Sequence, residues 1–241
     1  MEEIVAITLV FIILMSLTVA AFAYALPTIV IRARLAEVTT AIALMERTSQ
    51  NLVSLLEGDS SSSILQFSFA YGVVSVAEDG YATIMSDNTT LYSEPHEVFS
   101  YEGPVGGFPS AHVLDMGATE RAYYGSSEAA ALVYHYSKGG DTYVVSDEKV
   151  SVDEFEGTSG TIVHILLLEL QASGRLATKT GAFGLTINGV LTTAYQYSGQ
   201  VTFTITSGRD YQGDSLTNTF TVSGQTITVY LTIVTLGVAA A

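Results

Sequence analysis

Ile4 to Ile31, IVAITLVFIILMSLTVAAFAYALPTIVI, decides how the rest of this chain is read. The run has no charged side chain, and its only hydroxyls belong to Thr8, Ser16, Thr18, Tyr24 and Thr28. A bilayer core about 30 Å thick needs ~20 apolar residues in helix. The run is therefore long enough to span a membrane with tilt, or to be packed among other helices. A secretory signal peptide fits poorly, because a basic start, a short apolar core and a small-residue cleavage site are not seen.

The helical pattern continues past Ile31. Leu35, Val38, Ile42, Met45, Leu52 and Leu56 recur at helical spacings and define an amphipathic stripe, with Arg34 and Glu37 read on the other side. Gly58 is a plausible C-terminal stop. The chain thus divides into a helix over 1–58 (apolar half 4–31, amphipathic half 32–57), a polar hinge over 59–63 and a head over 64–241. From Glu2 to Glu57 the helix spans about 84 Å at 1.5 Å per residue. Pro27 removes a backbone hydrogen bond and crowds the preceding turn. A kink or local melting near Tyr24 is expected, with a clean break at Pro27 as the alternative.

The remaining roughly 180 residues suffice for one β domain or two small ones. Strand candidates include 64–69, 73–76, 81–85, 143–145, 150–152 and 162–170, with Asp79-Gly80 and Ser146-Asp147 read as turns. A loop-like stretch follows Met85 and includes Glu102 to Pro109, and 126–136 is ambiguous between helix and strand. The C-terminal quarter alternates most clearly. Val201, Phe203 and Ile205, then Ile227, Val229, Leu231 and Ile233, interleave with hydroxyl side chains, so one face is buried and the other wet. The fold class is α+β: a long N-terminal hydrophobic helix followed by a β-rich head, a Greek-key or immunoglobulin-like sandwich without the Cys…Trp…Cys mark.

Composition narrows the function. Net charge is −15, with Lys+Arg 9 against Asp+Glu 24, and no basic patch exists to neutralise phosphates, so nucleic acid is excluded as a partner. There is no cysteine, hence no disulfide, thiol nucleophile or thiolate metal site. His96, His112, His135 and His164 have no partner at metal-ligand spacing, and His164 reads as a core or surface histidine. Asp210 and Asp214 around Gly213 read as a turn rather than a calcium loop. No P-loop and no Gly-x-Ser-x-Gly elbow occurs. We therefore expect a protein that is not an enzyme and needs no cofactor or metal. Asn88-Thr89-Thr90 is an N-glycosylation sequon in a turn-like stretch, to be weighed against chance in so Thr-rich a chain. Tyr71, Tyr81, Tyr123, Tyr124, Tyr134, Tyr136, Tyr195 and Tyr197 are strand residues with a wet end that can also supply adhesive contacts.

An apolar N-terminal helix, a proline in its twenties, an amphipathic continuation and a β head together resemble mature type IV pilins. The absence of cysteine, the Ser/Thr/Gly-rich head and the lack of a Phe start make the archaeal branch the nearer likeness. The resemblance is specific over Met1 to Gly58 and architectural beyond. It implies an extracellular filament whose subunits polymerise through bundled helices, here through Ile4, Ile7, Phe11, Leu14, Leu17, Phe22, Pro27 and Ile31, with the heads coating the outside. Copies of the same chain are the main partners. A prepilin peptidase and a membrane assembly machinery act earlier, and the subunit sits in the membrane before assembly. Bacterial pilins carry a glutamate at position five, where this chain has Val5. Glu2 or Glu3 can pair with a neighbour's N-terminal amine, or both merely border the apolar run. The archaellin-type Gly-Thr-Leu opening is absent, so an adhesive pilus is expected over a swimming filament. Arg32 and Arg34 after the run would by themselves hold the head in the cytoplasm. A short basic leader ahead of Met1, removed on maturation, resolves that conflict. The reading from a different class is a monomeric, membrane-anchored extracellular binding domain.

Overall fold

The computed structural model describes residues 2–56, 60–104, 113–116, 122–124, 131–148, 150–157, 160–172, 177–207 and 215–240. Its architecture is α+β, one long apolar helix leading into a head built of strands. Helix α1 (Glu2–Leu56) has 55 residues, about 80 Å of rise. It runs without interruption through Pro27. The break considered from sequence is therefore absent, and so is any melted turn at Tyr24. Thr18 Oγ1 donates to the Leu14 carbonyl (2.8 Å) and Thr28 Oγ1 to the Tyr24 carbonyl (3.1 Å). Back-bonding of this kind hides hydroxyls that an apolar setting would otherwise leave unpaired.

The head begins at β1 (Ser62–Ser68), so Ser62 and Ser63 of the expected hinge are already strand. There follow β2 (Val73–Ser86), β3 (Thr89–Gly103), β4 (Val113–Met116), β5 (Tyr123–Tyr124), β6 (Ala131–Lys138), β7 (Asp141–Glu148) and β8 (Val150–Gly157). Next come β9 (Gly160–Ala172), β10 (Ala177–Thr178) and two long strands, β11 (Thr180–Ser207) and β12 (Leu216–Ala240). Several local expectations change. Asp79-Gly80 is a bulge inside β2: the register with β3 shifts between Glu78 and Tyr81, and Gly80 takes φ 80°, a conformation open to a residue without Cβ. The stretch after Met85 is the turn into β3, which runs to Gly103, while residues 105–109 of the expected loop lie outside the described residues, and Ser146-Asp147 lies inside β7. Residues 131–136 of the ambiguous segment are strand β6.

The described strands join one hydrogen-bonded path, in the order β4-β6-β7-β3-β2-β11-β12-β9-β8-β5, with β1 added to β11 and β10 to β2. β9 runs parallel to β12, while β8 returns antiparallel on β9. Strands β3 and β9 are not paired, yet Glu97 Oε2 on β3 accepts from the Ala172 N–H on β9 at 3.3 Å. The sheet therefore folds over on itself, and the layers of the expected sandwich are parts of one sheet.

Two cores result. One lies against the helix and joins Val38, Ala41, Met45, Leu52 and Leu55 to Phe67, Tyr101, Phe183 and Leu236. The other holds Ile84, Ile165, Phe203, Ile227 and Val229. Along β9 the inward set passes from Val163, Ile165 and Leu167 in the second core to Leu168 and Leu170 in the helix-side core. Along β12 it passes from Ile227, Val229 and Leu231 to Val234, Leu236 and Val238. Successive strand residues point to opposite faces, so the two cores occupy opposite faces of the same β9–β12 ribbon.

Candidate functional site: the bare helix and its clamp to the head

A helix whose side chains are apolar all round must be surrounded by something apolar. From Ala6 to Ile31 no residue of α1 is buried within the chain. Ile7 (71% exposed), Phe11 (62%), Leu14 (58%), Leu17 (62%), Phe22 (60%) and Ile31 (49%) stand clear of the head on every side, as does Pro27. This helix is long and apolar enough to cross a membrane. Ile4, Glu2 and Glu3 lie on the helix backbone, but their side chains fall outside the described set, as does all of His112, Asp210, Gly213 and Asp214.

The helix meets its own head at Arg34. From there the buried face runs through Val38, Ala41, Met45, Thr48, Ser49, Leu52 and Leu55, against β1, β3, β6 and β7. It is rotated from the sequence stripe. Leu35 is exposed, whereas Ala41, Thr48, Ser49 and Leu55 are inside. Thr48 is tolerated there because Oγ1 donates to the Leu44 carbonyl (2.9 Å).

Glu37, read from sequence as lying on the polar side, is the centre of the junction. Its carboxylate accepts the backbone N–H of Ala70 (2.8 Å), Tyr71 (3.0 Å) and Gly72 (2.7 Å), and the Tyr101 hydroxyl (2.9 Å). Three successive N–H groups turned to one point form a concave anion seat, and the helix supplies the anion. Burial pushes the Glu37 carboxyl up, but hydrogen bonds from Gly72, Ala70, Tyr101 and Tyr71 more than offset it and leave the group below the ordinary glutamate value. Burial, then the hydrogen bond to Glu37 and its charge, push the Tyr101 phenol well above its usual range, so Tyr101 is always the donor. The Arg34 guanidinium carbon lies 5.4 Å from the centre of the Tyr71 ring, within cation–π range. Gly72 and Gly103 bracket the Tyr101 ring, and a Cβ on either would run into it. Nothing in the sequence marks Glu37 as different from any other acid on an amphipathic helix.

Asn88 is exposed at the two-residue turn between β2 and β3. Asp87 holds that turn with φ 49°, its N–H donating to the Thr202 carbonyl (2.7 Å) and its Oδ1 accepting from the Thr202 N–H (3.0 Å). His96 is buried with Nε2 2.8 Å from Asp147 Oδ1. His164 is on the outer face between the Phe155 and Tyr230 rings, a surface histidine. Among the described residues no group of three or more His, Asp and Glu could hold a metal ion. No protein-family model, no curated protein and no solved structure matches the chain.

Proposed function

We propose that this chain is the structural subunit of an extracellular, type IV pilus-like filament, of the adhesive kind, in which the apolar halves of many copies of α1 bundle into a core and the heads face outward. The observation that carries this reading is the bare helix: from Ala6 to Ile31 apolar side chains are exposed all round. Neighbouring helices and, before assembly, lipid are the environments that cover such a surface. A second feature favours the filament over a simple anchor. The same helix continues past Ile31 into the head core and is clamped there by Glu37. A tether needs no rigid coupling to its cargo, whereas a helical polymer does, because any play at the joint would blur the positions of the heads. A prepilin peptidase and a membrane assembly machinery belong to the same reading.

The test is negative-stain electron microscopy of the full chain after detergent removal, and of the surface of the source cells. Filaments of uniform width, labelled by an antibody to the head, are expected. Single particles that enter liposomes but never associate would instead establish the membrane-anchored monomer.

A further inference from the structure

Strands β6-β7-β3-β2 turn one face to the helix-side core, to which Val133, Val144, Phe99 and Val74 belong. Their opposite face holds a groove of about 350 Å³. Its floor is aromatic. Tyr136 and Tyr143 are direct cross-strand partners whose rings stack at 5.1 Å and 12°, and Tyr134, buried beneath with Val98 and Val145, backs Tyr136 at 6.2 Å and 22°. Glu78, Lys138 and Asp141 line the same groove. Tyr143 is fixed in place because its hydroxyl donates to Glu102 Oε1 (3.0 Å). Burial, then that bond and the charges of Glu102 and Asp141, push its phenol up to about 12, so it stays neutral.

Near-parallel aromatic rings beside carboxylates and an ammonium, in an open groove on a sheet, match the chemistry of a sugar ring. A pyranose offers a patch of C–H groups that lies flat on an aromatic face, and a rim of hydroxyls that pair with carboxylates and ammonium. Small-molecule sites combine apolar walls with a few placed polar groups in this way. The charge selects further. Glu78, Asp141 and the adjoining Glu102 outnumber Lys138, on a chain of net charge −15, so acidic sugars are repelled. We propose that the groove over Tyr136 and Tyr143 binds neutral glycans, with a pyranose ring laid against that half-buried tyrosine pair and its hydroxyls held by Asp141, Glu78 and Lys138. The inference stands on the head alone and survives failure of the filament reading.

To test it, the full chain is held in a zwitterionic detergent, because glycoside detergents would compete. It is passed over an array of oligosaccharides ending in glucose, galactose, mannose or N-acetylhexosamine, with sialylated and sulfated probes beside them. The strongest neutral oligosaccharide is then titrated calorimetrically. Binding confined to neutral probes is expected, weakened at least roughly fivefold by Tyr136→Ala, the size of one lost ring contact, and by Asp141→Asn, and unchanged by Tyr230→Ala on the outer face of β12. Near-UV circular dichroism checks the folds, and should Tyr136→Ala unfold, Asp141→Asn at the hairpin end decides. Absence of neutral-glycan binding, a preference for acidic probes, or binding indifferent to Asp141→Asn overturns the proposal.

Discussion

Replacing Glu37 by alanine removes the acceptor shared by three backbone N–H groups and the Tyr101 hydroxyl. A hydrogen bond to a charged group contributes about 1.5–3 kcal/mol net, and a buried donor left alone costs a similar amount. Ala70 is exposed and can turn to water, whereas Gly72 is buried and Tyr101 wholly so. Two unshared bonds, to Gly72 and Tyr101, set a ceiling of about 6 kcal/mol, and water entering the half-open seat reduces the loss to roughly 2–4 kcal/mol. For a head of this size that is a fall in Tm of roughly 5–15 °C, read from the near-UV circular dichroism of the tyrosines in detergent. Glu37→Gln keeps one oxygen for Gly72 and Tyr101 and turns its amide to the open side, so its loss is about half as large. The pH dependence supplies an independent check. A carboxyl held below its ordinary value stabilises the fold above about pH 4.3, and that contribution disappears as pH falls through the folded-state value, where the unfolded chain already binds the proton. Wild type and Glu37→Gln should therefore converge in acid. A Tm fall for Glu37→Ala no larger than that of Glu154→Ala on the exposed part of β8 would refute the clamp.

Leu14→Asp places a carboxylate on the bare helix, where burial without a partner costs several kcal/mol per copy. Filaments should vanish while the head keeps its melting profile, and normal filament yield would sink the bundled-helix reading. Pro27→Ala restores a backbone donor toward the Ala23 carbonyl and relieves about 3 kcal/mol of helix penalty. Amide exchange over 23–31 should slow and filament assembly should change, and an exchange rate left untouched would show that Pro27 does not strain the helix. Gly72→Ala drives a methyl into the Tyr101 ring and pulls the Glu37 seat apart. It should lower the Tm at least as much as Glu37→Gln, and a neutral effect would mean that the seat is more pliant than its geometry suggests.

Much was legible from residue order alone. The bare helix, its continuation to Leu56, the first strand after it and the alternation of β11 and β12 are all one-dimensional signals, because helical and strand periodicities are local properties of the backbone. The absence of cysteine and the acidic balance are equally direct. What the chain could not show is which polar residues leave the solvent and where a strand changes its buried face. On β9 the change falls inside Ile165-Leu166-Leu167-Leu168, and on β12 next to Ile233-Val234, where a continuous apolar run erases the phase. Only the packing of the helix against one face and of the second core against the other reveals it. Glu37 and the tyrosine pair are of the same kind. A glutamate on an amphipathic helix reads as a solvated face until residues 70–72 arrive from the end of β1 with three N–H groups pointing at it. Tyr136 and Tyr143 become a stacked pair only when the β6–β7 hairpin sets their register. Periodicity belongs to neighbours along the chain, whereas satisfaction of a buried charge and stacking of two rings belong to neighbours in space, which the tertiary structure alone assigns.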